Sequence, residues 1–278
     1  MSHTSTPPGH KLGSMLLSCL FMLVLIGTFA HAQAGQRQPP NPAPAANDKQ
    51  NADAVAKVRE DTPESITYVE EIVKQGQVEA VPMLEKKFAR TEDVIDREHI
   101  ASALVRLGDK KDVYWNFLVR QATIAIESGI PDIFAYDSQG KLIRGPSPEF
   151  TAWAQGHNLS LTAAEEQSRL FSGAVMWLAM TRDWRAVPLL RQALSARDYM
   201  IQNAAAQGLA AIQDTESIPL IIDAVKKAPA EAGAVIARSL VFFDDPEAQA
   251  AVDKYVPKDS AKALREDRAQ RGTKTPWD

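Results

Sequence analysis

The feature that most constrains this chain is a segment that returns. Ala186-Val187-Pro188-Leu189-Leu190 recurs 31 residues later as Ser217-Ile218-Pro219-Leu220-Ile221. A looser copy stands earlier as Ala80-Val81-Pro82-Met83-Leu84. Self-similarity at a period of roughly 20–50 residues marks a fold made by stacking one supersecondary unit. Within the copies the apolar period is helical: Ile218, Ile221, Ile222 and Val225 fall at spacings 0, 3, 4 and 7. Proline near a helix start is tolerated, because the N–H it lacks would have had no intrahelical partner. Asp183 and Asp214 stand five residues ahead of Pro188 and Pro219, placed to cap orphan N–H groups or oppose the helix dipole.

A second helix is expected after each copy. Ile201, Ala204, Ala205, Gly208, Leu209 and Ile212 keep one helical face, as do Gly233, Ile236, Ala237, Leu240 and Val241. Leu170, Gly173, Ala174, Trp177 and Leu178 do the same, and so do Ile100, Ala103, Leu104 and Leu107. The small residues on these faces permit close helix approach. One helix pair cannot cover its own apolar stripe, so neighbouring pairs must stack. The pattern divides into a leading helix over 62–76, units at 79–108, 112–180, 184–212 and 216–243, and a last helix from Asp245-Pro246 to near Val256. Residues 257–278 form a charged tail, read as a helical cap or a disordered end.

This arrangement resembles the HEAT-repeat family in its short bacterial form. The resemblance rests on the prolines at 82, 188 and 219, the small-residue second helices, the turn Leu107-Gly108-Asp109, and Asp96-Arg97-Glu98 opening a second helix. It covers roughly residues 80 to 255. The family's arginine stands at Arg97, with Gln202 and Gly233 in its place in later units. The resemblance implies an all-α, right-handed α-α solenoid of about four to five helix pairs over 57–256, and a role as an interaction platform.

The second unit is about twice the length of the others. Its first helix carries Tyr114, Phe117, Leu118, Ala122 and Ala125, and Gly129-Ile130-Pro131 stops it. In Ile133–Gly145 apolar runs flank Asp137-Ser138-Gln139-Gly140, which predicts a small β-hairpin. Gly145-Pro146-Ser147-Pro148 breaks the chain again, and Leu161 opens a capped helix. Insertions in a rigid scaffold often carry function. Within 129–161, Tyr136, Arg144, Trp153 and His157 are the candidate binding residues. The competing reading is that the insertion only covers the edge of the stack, with Trp153 in the core.

Met15 to Phe29 hold no charge, His10 and Lys11 precede them, and Ala30-His31-Ala32 follows. A spanning helix needs ~20 apolar residues, so this run fits a signal peptide over 1–32 better. An uncleaved anchor is the alternative. Lipidation at Cys19 is disfavoured, because most of the apolar run follows the cysteine. Residues 33–56, rich in Pro, Ala, Gln and Asn, read as a flexible tether. The expected destination is the periplasm or the exterior, without stable membrane insertion after cleavage.

Chemistry is sparse. Cys19 is the only cysteine and lies in the export segment, which excludes thiolate and disulfide chemistry from the remainder. His99 and His157 are the only histidines beyond it, with no metal-ligand spacing around either. Phosphate-binding glycine loops and the nucleophile-elbow pattern are absent. Trp115, Trp177 and Trp184 read as core. The net charge of −4 gives no footprint for nucleic acid. The expectation is therefore a non-catalytic scaffold for a protein or peptide, with no cofactor and no metal. The alternatives are a lyase-like or small-molecule-binding role and a structural subunit of an envelope complex. A cluster of Asp137, Glu149 and His157 around a deep pocket would favour an enzyme.

Overall fold

In the computed structural model, residues 54–59, 63–272 and 275–277 are described. The readings made for residues 1–53, the signal peptide and most of the tether, lie outside them. The chain divides into two compact units, one ending at Glu71 and the other covering Ile72–Asp278. In the first, residues 54–59 are helical, with Ala54 and Val58 buried one turn apart. A 3-10 turn, Pro63–Thr67, leads into α1 (Tyr68–Lys74), whose Val69 is buried.

The second unit is a series of packed helix pairs. α2 (Val81–Arg90) pairs with α3 (Val94–Arg106), and α4 (Asp112–Glu127) with α6 (Leu161–Met180). α7 (Val187–Ala193) pairs with α8 (Tyr199–Ile212), and α9 (Ile218–Lys227) with α10 (Ala230–Ala237). Second helices pack on second helices: α3 and α8 both lie against α6, and α10 lies against α8. This unit is therefore an α-helical solenoid, with its core between the stacked helices.

The recurring proline segment has one structural meaning. A 3-10 turn precedes each copy, at Val78–Ala80, Trp184–Ala186 and Thr215–Ser217. The proline then takes the second helical position, where its missing N–H costs nothing. Asp183 accepts from the Arg185 N–H at 2.9 Å, as a cap should. Asp214 does something else. Its buried carboxylate takes a bidentate pair from Arg191 on the preceding unit, at 2.7 and 2.9 Å, and accepts from the Ser217 hydroxyl. It ties one repeat to the next.

Small residues allow helices to approach closely, both between second helices and within a pair. A Cβ on Gly208 would come within 2.5 Å of Ala179 Cβ on α6, and one on Gly233 within 2.8 Å of the Val225 carbonyl oxygen on α9. His99 of α3 stacks on Trp177 of α6, with ring centroids 4.2 Å apart. Two tryptophans depart from the core reading. Trp115 is half-buried with the Arg185 guanidinium 4.1 Å over its ring. Trp184 is 62% exposed, because the 3-10 turn that carries it projects beyond the helix packing.

α11 (Pro246–Tyr255) is capped by Asp245, which accepts from the Glu247 and Ala248 N–H groups. The charged tail folds as α12 (Lys258–Arg271) and closes the stack. Arg265 reaches Asp253 at 2.8 Å. Arg268 bonds the Val241 carbonyl and Asp244 at 2.6 and 2.7 Å.

Candidate partner-binding insertion

Between α4 and α6 the chain leaves the helical pattern. Ser128 and Gly129 end α4, with Gly129 at φ +62. Ile130 is buried, and an antiparallel hairpin of β1 (Phe134–Tyr136) and β2 (Leu142–Pro146) follows. Its turn is held by Asp137, whose Oδ1 accepts from the Gln139 and Lys141 N–H groups, both at 2.9 Å. α5 (Pro148–Gly156) comes next. Pro146-Ser147-Pro148, read from sequence as a break, is the start signal of this helix. Ser147 caps it by accepting from the Phe150 N–H, and Pro148 occupies its first turn. Phe150 is fully buried and seats the helix.

The inner side of the insertion is fastened at three places. At its base, Asp132 accepts from the Phe134 N–H at 2.6 Å and from the Tyr199 N–H at 3.0 Å. The second bond joins it to the first turn of α8. Beside it Asp198, buried, caps α8 by accepting from the Met200 N–H at 2.7 Å and takes a 2.8 Å bond from the Ser168 hydroxyl. Burial, reinforced by Asp198, pushes the Asp132 carboxyl up to about 7. Burial also raises Asp198. At the tip, the Glu231 N–H donates to the Gly140 carbonyl at 3.0 Å, and the Leu142 N–H donates to Glu231 Oε2 at 2.8 Å. Glu231 lies in the first turn of α10. Gly140 has φ +75, and a Cβ there would fall 2.3 Å from the Ala230 nitrogen, so only glycine allows this approach. On the third side Arg197 pairs with Glu149 of α5 at 2.7 Å. An insertion that leaves the second unit is thus bound to the third and the fourth.

The four residues expected to bind do not form one cluster. Tyr136 turns inward, half-buried, with its ring edge-on to Tyr199 at 6.0 Å. Burial and the nearby Asp132 hold its hydroxyl well above the usual tyrosine range. Arg144 stands exposed on β2. Trp153 is half-buried and stacks on the exposed His157, with centroids 4.3 Å apart. The His157 Nδ1–H donates to the Trp153 carbonyl at 2.8 Å. On the hairpin, Phe134, Leu142 and Ile143 are 40%, 46% and 47% exposed. Asp137, Glu149 and His157 have separate partners: the hairpin turn, Arg197 and Trp153. Among the described residues, no group of three or more His, Cys, Asp or Glu is placed to hold a metal ion, and no helix is long and apolar enough to cross a membrane.

Sequence reasoning missed the Asp132–Asp198 pair. Asp198 carried a signal, as an aspartate directly ahead of a helical apolar period. Asp132 carried none that pointed to Tyr199, 67 residues away.

An α-helical solenoid with one ordered strap across its second helices is the class that this geometry defines. Residues 161–240, from α6 to the turn after α10, match the model of HEAT repeats. The match supports the HEAT-repeat resemblance and falls on the stretch that carries Pro188, Pro219 and their small-residue second helices. No curated protein and no solved structure matches it.

Proposed function

We propose that the chain is an exported, non-catalytic scaffold that holds a protein or peptide partner on its repeat surface and on the outer side of the insertion. HEAT repeats commonly serve as protein-interaction scaffolds, and stacked repeats offer extended surface for such contacts. One observation carries the choice of the insertion. Its inner side is spent on main-chain bonds to the starts of α8 and α10, while Phe134, Leu142 and Ile143 remain between 40% and 47% exposed next to Arg144. Apolar side chains held in the open on an anchored ribbon are better accounted for by a partner than by covering the core. Trp153 with His157, and Arg144, extend the surface with residue types that suit interfaces.

The test is capture from envelope extract by the intact protein and by Leu142→Glu combined with Ile143→Glu. Both positions are exposed, so helicity should be unchanged. Loss of the same partners with Arg144→Glu and Trp153→Ala would support the reading. Retention of every partner by all three variants would remove the insertion from the site. Export is checked on the protein recovered from cells. A mature N-terminus at Gln33 supports a cleaved signal, whereas a retained Met1 in the membrane fraction supports an anchor.

A further inference from the structure

Away from the insertion, a cavity of about 450 Å³ opens between α2, α3 and α4, lined by Phe88, Arg97, Val113, Asn116, Phe117 and Arg120. Phe88 and Phe117 meet edge to face, with centroids 5.4 Å apart. The Arg97 guanidinium sits in the notch of that pair, 4.8 Å from each ring. The Arg120 guanidinium also lies over the Phe117 ring, 5.9 Å from its centroid.

Arg97 is half-buried and its Nε is fully covered, yet that atom has no hydrogen-bond partner among the described residues. None of the lining side chains is acidic. A guanidinium carries its donors in its own plane, where a carboxylate can take two of them side by side. Two such cations beside one cavity, without a carboxylate in its lining, leave positive charge uncompensated where water is partly excluded. The rest of the lining is two phenyl rings, Val113 and the amide of Asn116.

We infer that this cavity binds an apolar carboxylate, with the anionic group against Arg97 and Arg120 and the apolar group against Phe88, Phe117 and Val113. A bare inorganic anion would leave the rings unfilled, and an uncharged apolar ligand would leave the guanidiniums unpaired. Two sources offer this chemistry, a small free acid and the C-terminal residue of a peptide. The second rests on the scaffold reading above.

The experiment is calorimetric titration of the full-length protein with N-acetylphenylalanine, its C-terminal amide, inorganic phosphate and a short peptide ending in phenylalanine. The acid should bind and the amide should bind at least tenfold more weakly. Arg97→Gln should weaken the acid at least tenfold. Arg120→Gln, at an exposed position that does not threaten folding, should weaken it severalfold. A peptide at least tenfold tighter than the free acid assigns the site to a chain terminus, and equal affinities assign it to a small acid. The inference is overturned if acid and amide bind alike. It is also overturned if Arg120→Gln leaves the acid unaffected, or if phosphate competes equally well. Because the pocket and the hairpin are tested with different variants and probes, a failure here leaves the capture result to be judged alone.

Discussion

Single carboxylates make this protein's stability depend on pH in an unusual direction. Glu98 is 2% exposed and its Oε2 has no partner among the described residues. Burial, with Asp93 adding to it, pushes its carboxyl up to about 8 from an ordinary 4.5. The folded chain therefore holds a proton that the unfolded chain releases. That contribution is complete below about 4.5 and is lost as pH rises through about 8. Asp132 acts in the same sense, between an ordinary 3.8 and about 7. Urea unfolding should show stability falling from pH 5 to pH 9, against the trend of proteins dominated by ion-paired carboxylates. Glu98→Gln should flatten the curve by up to roughly 1.4 kcal/mol per pH unit, the slope for one proton. An unchanged slope would mean that Glu98 is ionised in the folded state. Asp132→Ala tests the anchor itself. It leaves the Phe134 and Tyr199 N–H groups without their acceptor, at a cost of about 2–3 kcal/mol.

Among the elements, what could be read from sequence was what repeats locally. Pro82, Pro188 and Pro219 announced helix starts because the physics of an N–H that needs no partner is local. Gly208 and Gly233 announced close helix contact because a missing Cβ is visible in the letters. The hairpin was legible for the same reason, from a turn between two apolar runs. α5 was not, because Pro-Ser-Pro stops one element and caps the next, and only the buried Phe150 decides between them. Trp184 misled because large aromatic area usually goes inside, and its exposure depends on how far a 3-10 turn projects. The glycine argument has a sharp test. Gly208→Val should cost about 2–3 kcal/mol, since the new Cβ meets Ala179 at 2.5 Å. Gly173→Ala, on a neighbouring helix with nothing within 4 Å of the new Cβ, should instead gain up to about 1 kcal/mol from helix propensity. Equal effects in thermal unfolding would remove close packing as the reason for Gly208.

At the scale of the whole stack, the strap changes the kind of cooperativity the molecule can have. Repeats joined only to their neighbours behave as a one-dimensional array that can fray from either end. Here Asp132 joins the insertion of the second unit to the third, and Gly140 and Leu142 join it to the fourth. The second and fourth units then cannot part without breaking bonds that skip a neighbour. Those bonds were illegible in sequence because Leu142 and Glu231 lie 89 residues apart with no pattern linking them. Glu231→Ala removes the side-chain half of the tip contact, and Gly140→Ala removes the close approach itself, at a φ that an L side chain rarely adopts. Both changes leave every helix interior untouched. Hydrogen exchange should then speed up in residues 137–143 and in the first turn of α10, while α6 and α8 keep their protection. If the strap couples the units, the unfolding transition of Gly140→Ala should also broaden or split, with the end from α9 onward opening first. A transition that stays as sharp as the parent's, with fast exchange confined to the hairpin, would mean that nearest-neighbour packing alone holds the stack together and that the insertion rides on it.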